Sequence, residues 1–112
     1  MHQSPAEIVS DYRLAFRSRV ASVAGRREVL TGKAPFGIFG DGKEVAQLAM
    51  AKVFRPGDWR SGYYRDQTFM FATGMSDLAQ FFAQLYTNTD PSAEPASAGR
   101  QMVSHFATRT LD

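Results

Sequence analysis

Apolar residues recur at Ile8, Val9, Tyr12, Phe16, Val20 and Val23. That spacing predicts an amphipathic helix with this face buried. Ser4-Pro5-Ala6-Glu7 supplies its start: a capping serine, a proline at the first helical position and a glutamate at capping-box distance. Gly25 is expected to end or interrupt the helix, with a further turn or two reaching Thr31 before Gly32. Gly32 to Gly42 reads as a loop, but Phe36, Ile38 and Phe39 make it too apolar to lie free in water, so it should fold back onto the rest. Asp41 and Glu44 repeat the capping-box spacing and predict a helix from about Lys43, with Val45, Leu48, Ala49 and Val53 on one side. Arg55-Pro56-Gly57-Asp58 is a turn.

Trp59 to Tyr64 is a candidate short extended segment without clean alternation. Asp66 to Thr73 predicts a short helix ending at Gly74, and Ser76 can cap the next one. Leu78, Phe81, Phe82, Leu85 and Tyr86 then form the cleanest helical stripe of the chain. Thr87 to Ala98 is polar and expected to be a flexible loop. Gly99-Arg100-Gln101-Met102-Val103-Ser104-His105-Phe106 follows as an irregular but chemically rich segment. The pattern is therefore mainly α-helical, with at most a short strand near 59–64.

Composition narrows the classes. The 112 residues make one domain at most, and 44% hydrophobic with 21% charged residues is ordinary for a globular chain. A net charge of +2 and no basic-aromatic stripe argue against nucleic acid. The absence of cysteine removes disulfides, thiolate metal sites and thiol nucleophiles. No apolar run approaches a membrane span, and Met1 to Glu7 lacks a signal-peptide pattern, so a cytoplasmic location is expected. Arg13, Arg17 and Arg19 fall largely off the first apolar stripe and read as a solvated basic face, or as contacts to an acidic partner or to another segment of a larger protein.

Candidate chemistry centres on Ser61-Gly62-Tyr63-Tyr64-Arg65-Asp66. Arg65 offers a planar fork of donors suited to phosphate oxygens, and Tyr64 adds a hydroxyl on a stiff ring. The glycine-rich loop lacks the Gly-Lys-Ser/Thr ending of a nucleotide-binding loop, since Glu44 follows Gly42-Lys43. Glu44 reads as helix-start support. His105 has no second histidine or carboxylate at metal-ligand spacing.

Taken together, the Gly-x-Glu element ending at Glu44, the Tyr64-Arg65 pair and Gly99-Arg100-Gln101-Met102 with His105 close behind stand in one order. From about Tyr12 to Phe106 the chain resembles the N-terminal part of the α subunit, or of an α/β fused chain, of thiamine-diphosphate-dependent 2-oxo-acid dehydrogenases, most closely the branched-chain (2-oxoisovalerate) type. The resemblance implies an α/β thiamine-diphosphate-binding fold for the whole protein. It implies Tyr64 and Arg65 as contacts to the cofactor diphosphate, His105 as a catalytic candidate and Phe36 beside the acyl side chain of the substrate. Val103-Ser104 departs from the Pro-Val usual before the histidine. Gly40-Asp41-Gly42 imitates the first half of the family's magnesium motif, but the single asparagine, Asn88, is too distant to complete it. The magnesium ligands are therefore expected beyond these residues, with no metal ligand inside them.

The resemblance further implies oxidative decarboxylation of a 2-oxo acid on thiamine diphosphate and acyl transfer to a lipoyl carrier. Implied partners are a β subunit or β part, a dihydrolipoyl acyltransferase core with its lipoyl domain, and further copies in a homo-oligomer. Residues 1–112 are expected to form a single N-terminal fragment that is inactive alone. The alternative from the residues themselves is a small helical interaction module without catalysis, docking through Leu78 to Tyr86.

Overall fold

The computed structural model describes residues 2–105. Four helices follow in order: α1 (Pro5–Leu30), α2 (Glu44–Val53), α3 (Gln67–Thr73) and α4 (Leu78–Leu85). Among the described residues there is no strand, and 59–64 is irregular backbone. α1 runs the length of the unit and touches the other three helices, while α2 and α3 pack on each other. Among the described residues no helix is long and apolar enough to cross a membrane.

Local chemistry explains most boundaries. Ser4 caps α1, its hydroxyl accepting from the Glu7 N–H at 3.2 Å, with Pro5 at the first position. The Glu7 side chain does not complete a capping box. It reaches Lys52 of α2 at 2.9 Å, where Asp11 joins at 3.0 Å. α2 begins at Glu44 without a side-chain cap, because Asp41 is drawn to Arg26 at 2.7 Å. α4 is capped by Asp77, one residue after the expected Ser76, its carboxylate accepting from the Gln80 N–H at 2.8 Å.

The apolar stripe of α1 faces the other way from the expectation. Ile8, Val9, Tyr12, Phe16, Val20 and Val23 are exposed, and the buried residues are Ser18, Ala21, Ser22 and Gly25. Small side chains let α1 approach α3 closely, and the serine hydroxyls find partners there, so the polar face goes inward. Gly25 does not end the helix. A methyl group at its Cα would lie 2.5 Å from Cε1 of Phe39, so the glycine is the seat for that ring. Its cost inside a helix, about 1 kcal/mol against alanine, is offset by burial of the ring, worth roughly 1.5–3 kcal/mol.

The apolar loop folds back as its composition requires. Ala34 and Phe39 join Ala21, Phe81 and Leu85 in one core, with Val29, Phe71 and Phe82 around it. Phe81 is its centre, with ring centroids 6.2 Å from Phe39 and 6.0 Å from Phe71. Phe81 and Leu85 of the α4 stripe are thus consumed in packing, with Phe82 partly buried beside them, while Leu78 and Tyr86 stay exposed at its two ends. Phe69 and Met70 of α3 form a second buried layer, Phe69 meeting Phe54 edge-on at 5.1 Å.

The polar segment after α4 has an internal scaffold. Glu94, only 2% exposed, accepts from the backbone N–H groups of Ala96, Ser97 and Gly99 and from the Ser97 hydroxyl. Burial alone would raise its pKa. The hydrogen bonds from Ser97, Gly99 and Ala96 outweigh that and hold it below the ordinary 4.5.

Candidate functional site

The segment before α3 is held by one carboxylate. Asp66 accepts from the Tyr63 N–H at 2.8 Å and from Arg60 at 3.2 Å. This turn stacks the rings of Tyr63 and Tyr64, with centroids 3.9 Å apart and hydroxyls hydrogen-bonded at 2.5 Å. That bond, joined by partial burial, raises the Tyr63 pKa. Arg65 lays its guanidinium over the Tyr64 ring at 5.6 Å from the centroid. It is exposed and makes no ion pair among the described residues.

Two buried glutamines fix the backbone beneath this pair. Gln47 of α2 donates from Nε2 to the Arg65 carbonyl at 2.8 Å and accepts from the Phe69 N–H at 3.0 Å. Gln67 of α3 accepts from the Gly40 N–H at 3.1 Å and donates to the Ser18 carbonyl, at 3.0 Å, and the Ser22 hydroxyl, at 2.9 Å. The Ser18 hydroxyl meets Thr68 at 2.5 Å. Gly40 sits so close to Arg65 that a methyl group on it would overlap the Arg65 carbonyl oxygen. The glycine-rich loop and the Tyr64-Arg65 segment are therefore seated on each other. An open hollow of about 400 Å³ lies at this junction, lined by Arg26, Gly37, Phe39, Asp41 and Arg65 among others.

The far end of the described chain comes back to the same place. The His105 ring meets Tyr64 edge-on, with centroids 5.9 Å apart and planes at 78°. Its Nδ1 lies 3.3 Å from the Val103 carbonyl. So His105, far along the chain from the adjacent Tyr64 and Arg65, joins them in one surface cluster through the Tyr64 ring.

Residues 12–110 match the family model described as the dehydrogenase E1 component. The chain belongs to the dehydrogenase E1 component family. This E1 chain is also 37% identical over 82 residues to the 2-oxoisovalerate dehydrogenase subunit alpha of Bacillus subtilis, covering 70% of itself and 23% of that relative. It thus spans about a quarter of the length of the curated relative it matches. No solved structure matches it.

Within the E1 chain, Phe36 stays outside the cluster. It is 39% exposed and makes no ring contact among the described residues. Glu44 is structural, as its place at a helix start suggested. It is buried, takes Arg19 Nε at 2.6 Å and Nη2 at 3.1 Å, and accepts from the Gly42 N–H at 2.9 Å. Arg19, aided by the backbone N–H groups, holds its pKa below 4.5. Asp41 is spent on Arg26, and among the described residues no three His, Cys, Asp or Glu side chains gather as a metal site would need. The glutamines at 47, 67, 84 and 101 carry the site's geometry. The apolar pattern does not single out the helical three, Gln47, Gln67 and Gln84, which are buried polar residues on helices, whereas Gln101 lies in the Gly99-Arg100-Gln101-Met102 element read from the sequence.

Proposed function

We propose that this chain is the N-terminal, diphosphate-contacting part of a decarboxylating 2-oxo-acid dehydrogenase component that acts on thiamine diphosphate. The observation that supports this best is the convergence of Tyr64, Arg65 and His105 on one surface. Arg65 fits the group: an exposed guanidinium held by an aromatic face, in no ion pair among the described residues, suits a phosphate fork. Tyr64 fixes its direction and adds a hydroxyl. When bound, the cofactor supplies the electron sink for loss of carbon dioxide.

The chain's own residues then bind and orient. Arg65 offsets part of the diphosphate charge, and the Tyr64 hydroxyl orients it by a hydrogen bond. His105 contributes a hydrogen bond or moves a proton near the reacting carbon. A carbonyl can only accept, so the Val103 contact favours the proton on Nδ1 and leaves Nε2 as the open nitrogen. Phe36 offers an exposed ring to the acyl side chain. Among the described residues no cluster fits a magnesium site, and its ligands come from elsewhere in the intact enzyme. A β subunit, a lipoyl-bearing acyltransferase and further copies of the chain complete the proposed assembly, which passes the acyl group to the lipoyl carrier in the cytoplasm.

Inorganic pyrophosphate followed by NMR tests the clamp. The expected result is movement of the Tyr64 and Arg65 resonances, lost in Arg65→Ala. Movement confined to Arg13, Arg17 and Arg27 would overturn it. The chain alone, given thiamine diphosphate, magnesium and a branched 2-oxo acid, should release no carbon dioxide above background. Measurable release would show that it is not a partial site.

A further inference from the structure

We propose that Gln101 is the positioning residue that sets His105 against Tyr64, an assignment resting on the reading of Tyr64, Arg65 and His105 as one cofactor-facing cluster. The Gln101 side-chain amide grips the His105 backbone at both ends. Its Nε2 donates to the His105 carbonyl at 3.0 Å, and its Oε1 accepts from the His105 N–H at 3.0 Å. A planar amide engaged through both atoms has one orientation, since a flip would set donor against donor. The pairing does for His105 what a neighbouring strand would do, in a segment with no helix or strand of its own.

Gln101 is itself anchored on two sides. Its N–H donates to the Ser97 hydroxyl oxygen at 3.1 Å, and that hydroxyl donates to buried Glu94. Its carbonyl accepts from Gln84 of α4 at 3.1 Å, and the same Gln84 amide accepts from the Ser104 hydroxyl at 2.6 Å. The path from the core to the imidazole therefore runs through α4 and the Glu94 loop, and its last link is the Gln101 amide. Among the described residues the ring itself meets the Tyr64 ring and the Val103 carbonyl. Freed from Gln101, the His105 backbone would lose both bonds, and the ring its fixed distance to Tyr64.

NMR on the labelled 112-residue chain decides this. In the wild type, cross-relaxation between the Tyr64 and His105 rings is expected, with ring nitrogen shifts biased to the Nδ1–H form. The His105 amide should exchange several-fold more slowly than an open one, as one net hydrogen bond requires. Gln101→Leu keeps the bulk and removes both bonds. It should abolish the ring contact and the tautomer bias while leaving the thermal midpoint of the helical core in place. Gln101→Glu keeps an acceptor for the His105 N–H but no donor for its carbonyl, and should fall between.

An intact ring contact in Gln101→Leu would overturn the proposal. So would unprotected exchange at the wild-type His105 amide, which needs no variant and holds even if Gln101→Leu fails to fold. Inorganic pyrophosphate separates the two readings. If Tyr64 and Arg65 do not respond to it while the ring contact depends on Gln101, the cofactor reading fails and the positioning role stands.

Discussion

Replacing Gln67 with leucine removes a side-chain amide that ties three segments together while nearly preserving its volume. Gln67 is 1% exposed, so its partners cannot turn to water. The buried Gly40 N–H donates to Gln67 Oε1 and would be left without an acceptor, a loss of about 1–3 kcal/mol. The other partners are better insured. Ser22 still donates to the Ser18 carbonyl at 3.2 Å, and Ser18 still meets Thr68, so their share is roughly 1 kcal/mol. The sum is about 2–4 kcal/mol. At about 4–8 °C per kcal/mol for a domain of this size, the melting midpoint should fall by roughly 10–30 °C. Urea unfolding followed by circular dichroism gives the free energy, and Ser22→Ala, expected to cost about 1 kcal/mol, calibrates it. A Gln67→Leu chain within about 0.5 kcal/mol of wild type, or more stable, would refute the reasoning. It would mean that desolvating the network costs as much as its hydrogen bonds return.

Acid should destabilise the chain through Glu44 and Glu94. Both are held below 4.5 in the fold, so below that value the unfolded chain binds more protons. The stability they contribute is complete above about 4.5 and is lost as pH falls through their lower folded values. Glu94→Gln should cost roughly 1.5–3 kcal/mol at neutral pH and flatten part of that acid limb; an unchanged limb in urea titrations from neutral pH downward would count against the assignment. Phe16→Ser, on a residue 57% exposed, should shift stability by less than about 0.5 kcal/mol. A loss comparable to a core truncation would show that the outer face of α1 is covered in the isolated chain.

The sequence was informative where a signal is local. Ser4 and Pro5 start α1, Gly74 ends α3, and the α4 stripe delivers Phe81 and Leu85 to the core. It carried a family signature in the order of its short elements, which the family match bears out, and the structure adds that the Tyr64 and His105 rings meet. It misled on α1 because periodicity gives the helix but not which face is buried: Phe16 outweighs Ser18 on any hydropathy scale, yet Ser18 is 1% exposed. The decisive partner of Ser18 is Gln67, 49 residues away, and no local pattern announces such a pair. Glu94 was hidden for the same reason in reverse, since a carboxylate satisfied by its own loop looks like any polar residue in a flexible segment.

The polar inner face of α1 has a consequence for alignment along the helix axis. Contacts made only of aliphatic side chains are nearly indifferent to a shift of one helical turn, about 5.4 Å. Ser18 and Ser22 remove that indifference. A one-turn slide would carry Ser22 away from the Gln67 amide and move the Gly25 notch off the Phe39 ring. α1 thus works as a keyed rail: its hydroxyls and its notch admit one longitudinal setting. The loop that leaves its end delivers Gly40 to Arg65 at that setting alone.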